Sequence, residues 1–321
     1  VRHVDLHGLS VLLDDRLEGA PSAALLGRFP DAELRGPAAL RISLRPRKHR
    51  VALPEEAEPS FFHGAIRAVT RRGALLLGDG ASVIAVSADG ASIEGAIHEA
   101  TLVDPHAFAH GTLLLALVLA LRHHGLFHLH GAAMVSPRGA SVLVAGDAGA
   151  GKSTVALALA KAGFSYLGDD SVLLSRRRTS LRLLAIPRAF HVGPATADAL
   201  PDLARHVGAV YGSSGKRFLD PTAAFPEMAR MEAGPPEALL FPSIAAAAET
   251  VLEPVGPSEA LGALLESSAL VATNGAARPS EHLALLRDVA DGARGFRVRL
   301  GRDLLANPAG WARRLASDCG L

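Results

Sequence analysis

The sequence predicts an α/β protein whose core, residues 101–321, is preceded by a smaller, mostly β module at residues 1–100. Three observations carry that expectation. Residues 139–175 read in succession as strand, glycine-rich loop, helix and strand. The first hundred residues hold short apolar or alternating runs separated by turn signals. The last hundred alternate amphipathic helical patterns with further short apolar runs.

In the first module the runs are Leu9–Leu13, Ala39–Leu44, Ala74–Leu77, Ser82–Val86 and Ile93–Ile97, with turns at Gly78-Asp79-Gly80 and Asp89-Gly90. Their spacing predicts an antiparallel sheet, and the Pro- and Glu-rich Leu53–Ser60 reads as a loop. No catalytic constellation stands out, so the module reads as a scaffold or a partner-recognising surface. Thr112–Leu121 follows as an apolar helix, about half the roughly 20 residues a bilayer span needs. It is expected to lie buried on the sheet of the core. His123, His124, His128 and His130 then come close together. Strand alternation places His128 and His130 on one face, but no Cys, Asp or Glu joins them locally to complete a metal set.

Ser141–Ala145 is a short apolar, β-branched run. Next come Gly146, Asp147, Ala148, Gly149, Ala150, Gly151, Lys152 and Ser153, which fit G-x-x-x-x-G-K-[ST], the Walker A or P-loop pattern, without a mismatch. Thr154–Ala162 is rich in helix formers and is closed by Gly163. Glycines let successive backbone N–H groups converge, and a helix N-terminus adds its positive dipole end. That combination forms a nest for phosphate oxygens. Lys152 is placed to reach the β/γ-phosphates and the Ser153 hydroxyl to ligate Mg²⁺, so ATP and Mg²⁺ are the expected ligands. Phe164–Gly168 reads as the next strand and delivers Asp169-Asp170 at its end, where one carboxylate can serve the metal and the other an acceptor hydroxyl.

These residues resemble the HPr kinase/phosphorylase family and the looser group of HPr-kinase-like proteins, with His130-Gly131-Ala132-Ala133, GDAGAGKS at 146–153 and the acidic pair Asp169-Asp170. The acidic pair is also similar to that of phosphoenolpyruvate carboxykinase. Further on, Ile186-Pro187-Arg188-Ala189-Phe190 and Lys216-Arg217-Phe218-Leu219-Asp220-Pro221 resemble the Pro-Arg and later basic segments of HPr-kinase-like proteins. The resemblance covers roughly residues 126–260 and is most specific at 130–170. It implies a P-loop kinase core of the HPr-kinase type, self-association, and transfer of a phosphoryl group to a serine of a protein or peptide. It also puts His130 near the transferred phosphate. The long glycine-rich signature that HPr kinases carry after the acidic pair is missing here, so the resemblance does not extend to HPr as the substrate.

Val172–Ser175 and Leu181–Ile186 are expected as a hairpin with Arg176-Arg177-Arg178 at its tip. Arg188 follows Pro187 and can clamp phosphate oxygens. Val207–Pro221, with Lys216, reads as a mobile loop able to close over the site. Beyond it, Ala238–Phe241, Glu249–Leu252 and Phe296–Leu300 are expected strands. Ser258–Ser267, Ser280–Asp291 and Trp311–Leu315 are expected helices.

The 33 Lys and Arg against 32 Asp and Glu leave a net charge of +1, which argues for neither nucleic acid nor an anionic membrane as partner. The local basic runs, Arg45–Arg50 and Arg176–Arg178, lack interleaved aromatics and read as solvated loops. A single cysteine, Cys319, excludes an intrachain disulfide and fits a reducing, cytoplasmic setting. Val1–Asp5 does not read as a secretory leader. The sequence therefore predicts a kinase in which Lys152, Ser153 and Mg²⁺ neutralise the phosphates. Asp170 joins Ser153 at the metal, one of Asp169 and Asp170 takes the hydroxyl proton, with Asp169 favoured, and His130, Arg188 and Lys216 complete the catalytic set. A nucleotide-responsive binding module without transfer, or a small-molecule kinase, stays open.

Overall fold

The structure is a computed structural model of the 321-residue chain and describes residues 1–33, 36–211, 215–268, 273 and 276–321. It is a mixed α/β protein with several sheets, divided into two compact units. One comprises Val1–Phe127 with Leu270–Pro279; the other comprises His128–Ala269 with Ser280–Leu321.

The first unit is built on an eight-stranded sheet. Its strands are β1 (Arg2–Leu6), β2 (Leu9–Asp15), β3 (Leu40–Arg47), β4 (Glu58–His63), β5 (Ile66–Arg71), β6 (Ala74–Gly78), β7 (Val83–Val86) and β8 (Ser92–His98), in the order β1-β2-β3-β8-β7-β6-β5-β4. The expected antiparallel pattern holds except around β3, which pairs in parallel with both β2 and β8. Helix α1 (Pro21–Leu26) lies in the crossover from β2 to β3, and a crossover of this kind is what a parallel pair requires. Leu53–Ser60 is only partly a loop, because β4 begins at Glu58. Strand β4 shows no clean alternation of burial, which is why its pattern escaped the sequence.

The apolar run Thr112–Leu121 lies within a longer helical stretch. Helix α2 (Pro105–Ala107), a π-helical turn (Phe108–Leu113), helix α3 (Leu114–Leu121) and a closing 3-10 turn (Arg122–His124) follow without a break. Pro105–His124 is therefore 20 residues long, enough by length and composition to cross a membrane, and 67% of its apolar 18-residue window is buried inside the molecule. All eight residues of α3 are buried, and the helix packs against β7 and β8 of the first sheet, not on the sheet of the core as expected. A helix apolar on every side carries no stripe that names its neighbour. The compact division accordingly falls after Phe127, not after residue 100.

The second unit starts at His128, within β9 (Phe127–Leu129), and continues with β10 (Gly131–Val135) and β11 (Ser141–Ala145), the five residues of β11 all buried. Helix α4 (Lys152–Lys161) leads to β12 (Ser165–Gly168), and β13 (Val172–Arg177) and β14 (Ser180–Ala185) form the expected hairpin. Its arginine tip is tied down, Arg176 to Asp288 and Arg177 to Glu232, with Arg178 in a left-handed turn. After β15 (Phe190–Val192) and α5 (Pro194–Ala199) come β16 (Val207–Tyr211), β17 (Lys216–Leu219) and α6 (Pro221–Ala224). The expected open loop at Val207–Pro221 is thus largely two antiparallel strands that join β15 in a three-stranded sheet; its residues 212–214 lie outside the described residues.

The chain closes with β18 (Glu232–Ala233), β19 (Pro236–Ile244), β20 (Val251–Val255), α7 (Pro257–Glu266), α8 (Pro279–Gly292), β21 (Arg294–Leu300), α9 (Asp303–Ala306) and α10 (Pro308–Asp318). The main sheet runs β12-β10-β11-β19-β21-β20, with β11, β19 and β21 parallel. Strand β12 does not pair with β11, since β10 stands between them. One core joins Val142 and Val144 of β11, Leu240 of β19 and Val155 and Leu159 of α4 to Trp311 and Leu315 of α10. This core fixes the direction in which β11 delivers the glycine loop. Leu240 is fully buried in it, so Leu240→Ala is expected to cost about 2–5 kcal/mol, read as a lower urea midpoint with an unchanged slope.

Candidate functional site

The loop between β11 and α4 takes its shape from glycine. Gly146, Gly149 and Gly151 have φ of 147°, 84° and 102°, a region that side chains rarely adopt. A Cβ on Gly151 would also stand 2.5 Å from Leu300 Cδ1. The N-cap of α4 is Gly151, and its first residues, Lys152, Ser153 and Thr154, face the functional space. Lys152 is buried, and its Nζ donates to the carbonyls of Gly146 (2.8 Å) and Asp147 (2.9 Å). Burial pulls its ammonium below the ordinary lysine range, opposed by the charges of Asp170 and Asp169.

The acidic pair divides sharply. Asp169 is 1% exposed; its Oδ2 accepts from the Ser153 hydroxyl at 2.9 Å and from the His191 amide at 3.0 Å. Its Oδ1 is buried with no hydrogen-bond partner among the described residues. Burial, with the neighbouring Asp170 charge, pushes the carboxyl up to about 6 against its bonds from His191 and Ser153. Asp170 is half-buried, with His130 Nδ1 at 3.2 Å from Oδ1 and Arg188 at 3.4 Å from Oδ2. Burial raises its pKa, but the charges of His130, Arg188, His191 and Lys152 outweigh that and hold it below the ordinary value. His130 Nδ1 also lies 3.1 Å from the Asp170 carbonyl oxygen. Both partners are acceptors, so Nδ1 carries the proton and Nε2 the lone pair. Burial keeps the ring's pKa below the ordinary histidine value in spite of Asp170.

A cavity of about 460 Å³ gathers His130, Lys152, Ser153, Asp170, His191 and Lys216 beside the loop residues Ala148, Gly149 and Gly151. Thr154 lines it as well, with its hydroxyl 2.8 Å from that of Thr196 on α5. Gly146, Asp147 and Ala150 border a second cavity on the same loop. Arg188 is not a cavity wall. It is 8% exposed, donates to the Ser171 hydroxyl at 3.0 Å, and acts on the site through Asp170. His128 touches the same hydroxyl at 3.2 Å.

Two expectations change. Ser153 contacts Asp169 rather than Asp170, and Asp170 rather than Asp169 lines the cavity. His191, which the sequence did not mark for any role, supplies both an amide to Asp169 and a side chain to the cavity wall. Its only sequence signal was its place three residues after Arg188 at the start of a strand. Among the described residues His123, His124, His128 and His130 do not belong to any group of three or more His, Cys, Asp or Glu able to hold a metal.

No family model matches the chain, and no curated protein matches it. Among solved structures it is similar to the Hpr(Ser) kinase/phosphatase from Coxiella burnetii, at 13% identity over 60% of this chain and 91% of that one, with a TM-score of 0.31. A likeness of that size carries no argument. The site stands on this chain's own atoms.

The state of Asp169 is open to measurement. Its carboxyl holds a proton more tightly in the folded chain than the ordinary value of 3.8 allows in the unfolded one. Folding is therefore favoured most below about pH 3.8 and loses this contribution as pH rises towards 6. Asp169→Asn is expected to raise stability at pH 8 by roughly 1–3 kcal/mol in metal-free buffer, as 1.36 kcal/mol per pKa unit implies. The gain should vanish at pH 4 in urea titrations; an equal effect at both pH values would sink the assignment.

Proposed function

We propose that the protein is an ATP-dependent kinase that transfers the γ-phosphoryl group to a hydroxyl, the serine of a protein or peptide. The observation that carries this reading is the junction of Ser153 and Asp169 at 2.9 Å, with Asp169 Oδ1 left buried and unpartnered beside the glycine loop. A hydroxyl and a carboxylate with a spare lone pair are hard oxygen donors of the kind Mg²⁺ takes. When bound, that ion would neutralise charge on the β- and γ-phosphate oxygens.

The chain's own groups divide the remaining work. Backbone N–H groups of the glycine loop and the start of α4 receive the phosphates. Lys152 and Lys216 bring positive charge to the same cavity. Asp170, held between His130 and Arg188, takes the proton of the acceptor hydroxyl, with its lowered pKa keeping it ionised at neutral pH. The acceptor oxygen bonds to the γ-phosphorus as the bond from phosphorus to the β–γ bridging oxygen breaks, and ADP leaves. This reading puts Asp169 on the metal side and Asp170 as the base, where the sequence favoured Asp170 for the metal and left the base open between the two. His130 orients the Asp170 carboxylate through its Nδ1–H.

The test is transfer from γ-labelled ATP to a library of serine peptides. Asp170→Asn is expected to bind ATP within a few-fold of the parent and to lose at least 100-fold in transfer rate, the scale of a removed general base. Lys152→Ala should weaken both binding and transfer. Tight ATP binding with no labelled serine in the library would leave a nucleotide-responsive module in place of the kinase.

A further inference from the structure

The far side of the glycine loop borders a second cavity, of about 450 Å³, whose other walls, from β19, α7 and β21, the proposed transfer does not use. It meets the first at Ala148, Gly149 and Ile244, and it continues past Phe241, Ala263, Glu266 and Arg297 into a further hollow of about 360 Å³. Its chemistry is opposite to that of the first. Phe241, Pro242 and Ile244, from the end of β19, make an apolar wall, and Ile244 is 73% exposed. The carboxylates of Asp147 and Glu266 border the cavity and make no ion pair among the described residues. Its one cation, Arg297, is already paired with Glu253 and Glu259. The Ser267 hydroxyl, in a side chain more than nine-tenths buried, has no hydrogen-bond partner among the described residues.

Phosphate is the wrong occupant for such a wall, because unpaired carboxylates repel it and no free cation offsets them. A flat, mostly apolar ring with N–H donors at its edge is the right one: it covers Phe241 and Ile244, and its donors meet acceptors that have none. We infer that this second cavity receives the base of the nucleotide, one that carries an amino group. The inference rests on the reading that the first cavity holds the phosphates. The junction at Ala148 and Gly149, where a side chain larger than methyl is missing, is where the sugar passes from one side to the other.

Calorimetry on the full chain separates the two readings. The magnesium forms of ATP, UTP and inorganic tripolyphosphate are titrated into the parent and two variants. The parent is expected to bind ATP at least tenfold more tightly than tripolyphosphate and at least fivefold more tightly than UTP. Ala263→Trp, which fills the cavity from half-buried helix surface, should abolish the advantage over tripolyphosphate and leave tripolyphosphate affinity unchanged. Glu266→Gln, at an exposed position on the rim of the cavity, should erode the preference for ATP over UTP at least threefold. Equal affinity of the parent for all three ligands overturns the base site while sparing the phosphate site. Variants that raise the KM for an acceptor peptide and leave ATP affinity alone assign the cavity to the acceptor and overturn it too. Failure of tripolyphosphate and ATP alike to bind removes the phosphate reading and this inference together.

Discussion

The candidate site of the second unit is organised around one buried carboxylate. Asp169 ties the first turn of α4, through Ser153, to the backbone of β15, through the His191 amide. Three segments far apart in sequence therefore meet at one oxygen atom, and the other oxygen is left without a partner among the described residues. A buried, singly satisfied acid is costly, and folded chains keep such groups where a ligand or a reaction uses them. The main core around β11, β19 and α4 supplies the rigidity that lets this costly arrangement persist.

Asp170 sits next in the chain and in the opposite electrostatic situation. Adjacent residues at a strand end point in different directions, so one enters the interior and the other the cavity. The interior one is pushed towards its neutral form, while the cavity one is held ionised by His130 and Arg188. Two carboxylates of identical chemistry are thereby given different proton affinities by environment alone, a separation of the kind that distinct acid–base and metal roles use.

How much of this was legible in the sequence follows from how local each signal is. The strand, loop and helix at 141–161 were legible because glycine placement and a five-residue apolar run act within one turn. The acidic pair and the 172–185 hairpin were legible for the same reason. Which acid faces Ser153 was not, because a dipeptide carries no statement of strand twist or register. The parallel pairings of β3, and the insertion of β10 between β11 and β12, depend on contacts distant in sequence. Helix α3 misled in another way: uniformly apolar, it fits any sheet, and it covers β7 and β8. His191 contributes through its backbone amide, a group every non-proline residue possesses, and composition cannot mark it.

Lys152 shows how the fold arranges the loop. Its ammonium is already withdrawn from water and latched to two carbonyls of the same turn. The dehydration of that cation is thus met during folding; under the proposed function, an arriving phosphate would only have to replace neutral dipoles with full negative charge at a group that is already aimed. Capture by this turn, as proposed, would then be an exchange of partners, with little wandering of a long side chain left to arrest.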